Sequence, residues 1–144
     1  MTVFTVDIPV RFQHTDPAGI VFYPRYFEMI NQVVEDWFAE ALGVDFQTLH
    51  NQHLCGVPTV RLESDFKRPS RLGEILTFSL GVEALGKSSF TLDLCASCQG
   101  EERLRAKAVL AYVRLDDLGP VPIPRELRRA MERFCENGDK REVA

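Results

Sequence analysis

Between Phe27 and Leu42 the apolar residues recur at three- and four-residue steps: Phe27, Ile30, Val33, Val34, Trp37, Phe38, Ala41 and Leu42. Arg25, Glu28, Gln32, Glu35, Asp36 and Glu40 occupy much of the rest. That period predicts an amphipathic helix with a wide, aromatic-rich apolar stripe. Pro24 suits its first turn and Gly43 its C-terminal exit. At about five turns it is the dominant helix of the chain. Whatever the chain folds into has to cover that stripe.

The cover is written in the segments around it. From Val3 the apolar residues alternate as Phe4, Val6, Ile8, Val10 and Phe12, with Thr5, Asp7, Pro9 and Arg11 between them. This predicts a half-buried strand, and Pro9 points to an edge or an irregularity. Residues 44–56 suggest a short helix and a loop. Four more strand-like segments follow. Val60, Leu62, Ser64 and Phe66 alternate with Arg61, Glu63, Asp65 and Lys67. Leu76, Phe78, Leu80 and Val82 do so with Thr77, Ser79 and Gly81, and Phe90, Leu92, Leu94 and Ala96 with Thr91, Asp93 and Cys95. Leu104–Leu115 alternates more weakly and reads as buried on both faces near its end. Turn residues separate the segments at Pro69–Gly73, Gly86–Ser88 and Gly100–Glu102. A proline-rich exit leads to a closing helix from Arg125, with Leu127, Met131 and Phe134 on one side, and the tail 138–144 reads as frayed.

One greasy helix and one sheet with a greasy face bury each other. The expected fold class is α+β, an antiparallel sheet of about five strands curled around the long helix. The chain of 144 residues suits one domain over 1–144. Apolar residues on the outer sheet face and unpaired sheet edges point to a homo-oligomer.

Lys plus Arg number 17 against 21 Asp plus Glu, a net charge of -4, which argues against nucleic acid as the partner. The N-terminal MTVFTVDIPV carries neither a basic lead nor a long apolar run. The expectation is therefore no signal peptide, no membrane span and a cytoplasmic location. Cys95 and Cys98 form a CxxC, but residues three apart on a strand point to opposite faces, so the thiols diverge. His50, His53 and Cys55 lack a matching second pair. No metal and no cofactor are expected.

The stretch HTDPAGIVFYP, residues 14–24, sets an acid beside a run of long apolar side chains just before the helix. An Asp-Pro in a loop is most often a turn residue and nothing more. Here Gly19 permits a bend or close approach to a ligand. Ile20–Tyr23 can form an apolar wall, and a helix start supplies unpaired N–H groups at the positive end of a dipole. Such donors stabilise the oxyanion formed from a carbonyl. A nearby carboxylate can attack that carbonyl or take a proton from the attacking water. Acid and oxyanion donor together are a minimal device for acyl transfer to water.

The run Asp16-Pro17-Ala18-Gly19-Ile20-Val21-Phe22-Tyr23 resembles the signature of the 4-hydroxybenzoyl-CoA thioesterase family, of hotdog fold. The similarity extends over most of the chain, including the Lys87-Ser88-Ser89-Phe90 hairpin. The resemblance implies hydrolysis of an acyl-CoA thioester, without a metal, by dimers that often pair into tetramers with sites at subunit interfaces. It places the essential carboxylate on Asp16, as nucleophile or general base, and the polarising backbone N–H on Tyr23. Tyr23 followed by Pro24 resembles the aryl-CoA branch. The helix position that meets a substrate phenol in the hydroxybenzoyl enzyme is Asn31 here, a neutral group where that enzyme carries an acid. Unsubstituted aryl and short acyl groups thus remain open beside hydroxybenzoyl.

Other candidates follow from chemistry. His14 can orient the Asp16 carboxylate or cap a strand end. CoA phosphates need cationic or N–H donors, which Arg68, Arg71, Lys87 and Ser89 can provide at strand ends. Arg103, Arg105 and Lys107 form a second basic row that reads as outer surface. Glu28 and Glu35 match a solvated helix face and rank below Asp16. A hotdog hydratase or dehydratase is disfavoured. The hydratase histidine would fall at Val21, and no His precedes a Phe-Pro-Gly turn. An acyl carrier protein substrate and a non-catalytic acyl-binding module are the remaining alternatives.

Overall fold

The computed structural model describes residues 2–135. The elements run β1 (Phe4–Pro9), a 3-10 turn at Phe12–His14, α1 (Tyr23–Trp37), α2 (Phe46–Asn51) and β2 (Cys55–Gly56). They continue through β3 (Thr59–Phe66), β4 (Ile75–Leu85), β5 (Ser89–Cys98), β6 (Glu101–Ala111), β7 (Val113–Arg114) and α3 (Arg125–Glu132). β1, β4, β5, β6 and β3 lie side by side in that order in one antiparallel sheet, and β2 pairs with β7.

Register turns the alternation of the sequence into one apolar face. Val6 pairs with Phe78, Phe78 with Ala96, Ala96 with Leu104 and Leu104 with Phe66. Phe4, Leu80, Leu94, Ala106 and Ser64 make the next row. The stripe of α1, with Met29, Val33 and Trp37 buried, shares a single core with this face. The outer face carries charge instead: Lys107 meets Glu83 at 3.0 Å and Arg105 meets Glu102 at 2.6 Å. Arg105 and Lys107 are therefore outer-surface residues, as their row suggests.

Four local readings need correction. β1 stops at Pro9, and Phe12 sits in the 3-10 turn at 82% exposure rather than on the buried strand face. The long helix widens to a π-helical turn over Phe38–Leu42 before Gly43 ends it at φ 81°. Weak alternation from Leu104 to Leu115 resolves into two strands, β6 and the short β7. β3 alternates like the central strands, yet its inward-facing Phe66 is 49% exposed, because it is an edge strand that α1 only partly covers. The tail read as frayed, 138–144, lies outside the described residues.

The topology sorts the loops. The exit from β1, the connection from β3 to β4 and the β5–β6 turn all lie at one end of the sheet, and the β4–β5 hairpin lies at the other.

Candidate active site

Residues 14–22 fold as a small hairpin. Phe22 N–H donates to the His14 carbonyl at 2.9 Å, Thr15 bridges Val21, and Asp16 N–H donates to the Ile20 carbonyl at 2.9 Å. Gly19 N–H returns to the Asp16 carbonyl at 2.9 Å, closing the tip. Gly19 takes φ +79°, a left-handed conformation that a side chain makes costly. Asp16 Oδ1 accepts the Ala18 N–H at 2.8 Å. Its second carboxylate oxygen accepts no hydrogen bond from the described residues. The hairpin thus holds the carboxylate by one oxygen and leaves the other without a partner among the described residues.

The hairpin feeds straight into α1. Phe22 is the N-cap residue and supplies no side-chain cap. Pro24 has no N–H, and Arg25 N–H closes back onto the Phe22 carbonyl at 2.8 Å. That leaves the Tyr23 N–H as the open donor of the first turn among the described residues. Val21 is buried, but Phe22 and Tyr23 are exposed, Tyr23 at 58%. The apolar wall expected from Ile20–Tyr23 is therefore only half built within one chain.

His14 sits beside the acid in sequence but is engaged elsewhere. Its Nδ1 accepts the Arg11 N–H at 2.8 Å, capping the 3-10 turn. Burial lowers the imidazole below the ordinary histidine value; Glu28 opposes this, and Arg25 and Arg11 add to it. The ring is a neutral acceptor there, with its proton on Nε2. Arg71 lies against the hairpin, where it bridges Ile20, and Arg68 is exposed on the same connection. Lys87 and Ser89 belong to the β4–β5 hairpin at the far end of the sheet. The eleven residues of β4 separate the two sets by roughly 30 Å, so one chain does not join them into one mouth.

Along α1 a cleft of about 460 Å³ opens between the helix and strands β3 and β6. Phe27, Ile30 and Val34 line it from α1, and Leu62, Ala108 and Leu110 from the sheet. Three polar residues, Glu28, Asn31 and Thr59, are among its lining. Glu28 lines the cleft yet stays exposed and pairs with Arg25 at 3.0 Å, in keeping with the solvated helix face its position suggests. Asn31 lies about 12 Å along the helix from Tyr23.

Sequence reasoning missed two parts of this region. Tyr23, Tyr26 and Phe27 gather around Phe66, with ring centroids 6.0, 5.9 and 6.1 Å away. Arg103, read as surface, is only 7% exposed and holds Glu74, the Pro69 carbonyl and the Ser70 hydroxyl. A glutamate and an arginine on separate strand ends carry no spacing signal that could have paired them. Among the described residues, no three His, Cys, Asp or Glu side chains are grouped to hold a metal ion.

Residues 10–131 match the sequence profile of the thioesterase-like superfamily. The chain belongs to the thioesterase-like superfamily. Within that superfamily it is similar to the 1,4-dihydroxy-2-naphthoyl-CoA hydrolase of Acaryochloris marina, 30% identical over 129 residues, 87% of this chain and 93% of that protein. The enzyme of that name from Synechococcus elongatus is 26% identical over 120 residues, 83% of this chain and 88% of its own. A gentisyl-coenzyme A thioesterase structure superposes at TM-score 0.79 and 26% identity, covering 89% of this chain and 98% of that one. A 4-hydroxybenzoyl-CoA thioesterase mutant complexed with 4-hydroxybenzoyl-CoA superposes at TM-score 0.84. It covers 90% of this chain and 98% of that one, and at 19% identity it speaks for the hotdog fold alone. The fold and the thioester-hydrolase chemistry implied by the Asp16 motif agree with these superfamily relatives.

Proposed function

We propose that the protein hydrolyses the thioester of an aryl-CoA to the free aryl acid and CoA. The observation that carries this reading is the hairpin that delivers a half-engaged Asp16 carboxylate and an open Tyr23 N–H on one rigid loop. The thioester carbonyl accepts the Tyr23 N–H, and negative charge developing on its oxygen is met by that donor and the helix dipole. Asp16 attacks the carbonyl carbon to give a mixed anhydride, which water then hydrolyses, or it takes a proton from the attacking water. The CoA thiolate leaves without an acid, since a thiol pKa near 8.5 makes it a good leaving group. Gly19 lets the backbone turn beneath the reacting group. His14, held by Arg11, positions the start of the hairpin.

The aryl group is assigned to the α1 cleft, whose aromatic and aliphatic walls suit a flat apolar ring. Asn31 on its rim supplies a neutral hydrogen bond to a ring substituent such as a hydroxyl. Arg68 and Arg71 are assigned to CoA phosphates at the Asp16 end. Lys87 and Ser89 require a second copy of the chain. An antiparallel pairing along the open edge of β3 would bring a partner's far sheet end toward Asp16 and cover Phe66, Phe22 and Tyr23. This supports a homodimer, or a tetramer of two such pairs, as the working enzyme. The single core of the described residues supports reading 1–144 as one domain. No described helix is long and apolar enough to cross a membrane, and we place the enzyme in the cytoplasm.

A panel of aryl, short-chain and long-chain acyl-CoAs, with one aryl group also loaded on acyl carrier protein, tests the proposal. Aryl-CoA should give the highest kcat/KM. A carrier-protein preference or faster turnover of short acyl groups would replace the aryl-CoA reading, and no turnover of any thioester would leave a binding module.

A further inference from the structure

The hairpin that carries Asp16 is pinned from outside. Val21 N–H donates to the Ser70 carbonyl at 2.9 Å, and Ile20 bridges Arg71. The position of the hairpin therefore follows the path of the β3–β4 connection at Pro69–Arg71. That path is set by a polar cluster beneath it. Arg103 Nη1 donates to the Pro69 carbonyl at 3.0 Å, to Ser70 Oγ at 3.4 Å and to Glu74 Oε1 at 2.7 Å. Nη2 donates to Glu74 Oε2 at 3.1 Å, completing a forked pair. Nε lies 2.8 Å from Glu101 Oε1, an ion contact whose alignment does not make a hydrogen bond. Glu74 Oε1 also accepts the Arg71 N–H at 2.6 Å, and the Tyr26 hydroxyl, reaching down from α1, donates to Ser70 Oγ at 2.9 Å. Ser70 is fully buried, and Tyr26 and Arg103 are nearly so.

A buried ion pair is weak evidence of added stability, because desolvation offsets the attraction. What this pair supplies is direction. The planar guanidinium holds Glu74 with its fork and has a donor left for the backbone carbonyl just before Ser70. Every backbone group that ties this connection to the Asp16 hairpin lies within two residues of that carbonyl. We infer that Arg103, with Glu74 and Tyr26, is a positioning device for Asp16: it fixes the Ser70 carbonyl, which fixes Val21, which fixes the hairpin. The inference rests on Asp16 being the reactive carboxylate. None of the three side chains touches substrate in this account. A lysine at 103 keeps the charge but not the fork, and a misplacement of about 1 Å at a reacting group can cost about a hundredfold in rate.

The test compares Arg103→Lys, Arg103→Met, Tyr26→Phe and Asp16→Asn in aryl-CoA hydrolysis, with thermal unfolding and hydrogen exchange at the Val21 amide. Arg103→Met should lose about a hundredfold in kcat and Arg103→Lys about tenfold, with KM within about threefold of wild type. Tyr26→Phe should lose about threefold to tenfold in kcat, also at constant KM. Val21 amide protection should fall in the same order while cooperative unfolding persists. Should the Arg103 variants fail to fold, Tyr26→Phe decides alone. Unchanged kcat in folded variants, or a loss carried by KM alone, overturns the inference while Asp16→Asn remains inactive. Full activity of Asp16→Asn overturns the site itself and removes this inference with it.

Discussion

The Val21 N–H donates to the Ser70 carbonyl at 2.9 Å, so a loop next to the helix start is registered against a connection some fifty residues further on. Through that bond, ion pairing on the far strands bears on the geometry of the acid.

The Glu74–Arg103 pair makes stability depend on acid. Hydrogen bonding from Arg103, then from the Arg71 N–H, brings the Glu74 carboxyl from 4.5 down to about 2. A carboxyl depressed in the folded state stabilises above its unfolded value, and that contribution is lost as pH falls through the folded value. The window is therefore from about pH 4.5 down to about pH 2, and the shift corresponds to at most about 3 kcal/mol. Glu74 is 30% exposed, so solvent screening trims the figure to about 2 kcal/mol. Urea unfolding at about pH 6 and about pH 2.5 should show wild type losing about 1.5 kcal/mol more than Glu74→Gln, since about a quarter of the contribution remains at the lower pH. Equal losses in the two proteins would contradict the pair.

Asn31 should read the ring substituent. Asn31→Ala should lower kcat/KM for a hydroxylated aryl-CoA by about five- to tenfold, the value of one hydrogen bond, and change that for benzoyl-CoA by less than about twofold. Equal effects on both substrates would place the substituent elsewhere.

The open edge of β3 should be an interface. Sedimentation of the wild-type protein at micromolar concentration should give a dimer or larger. Phe66→Glu, which sets a charge among Tyr23, Tyr26 and Phe27, should shift it toward monomer and lower activity in step. A fully active wild-type monomer would contradict the two-copy site.

The parts of the fold legible in the sequence are those where local period and burial coincide. β4 and β5 are central strands with one face against α1, and their alternation reads directly as Leu76, Phe78, Leu80 and Phe90, Leu92, Leu94. β3 has the same pattern, but α1 covers its inner face only in part, and period alone does not say what covers a face. Phe12 continues a parity that the 3-10 turn breaks. The motif that carries Asp16, Gly19 and Tyr23 is legible as a candidate site because it lies within eight consecutive residues; the roles proposed for them are for variants such as Asp16→Asn to test. Arg103, Glu74, Ser70 and Tyr26 meet only through the β3–β4 connection, and no local spacing encodes that meeting. Lys87 and Ser89 resemble phosphate-binding residues, yet the sheet carries them away from Asp16, so their role depends on a copy the sequence does not contain.

The carboxylate itself carries the account. Asp16→Asn preserves size and the acceptor oxygen facing the Ala18 N–H, and removes the charge that attacks or activates water. Steady-state hydrolysis of a hydroxylated aryl-CoA by the folded variant should fall by at least about a thousandfold in kcat, with KM within about threefold. Hydrolysis by Asp16→Asn at the wild-type rate would show that the reacting group lies elsewhere.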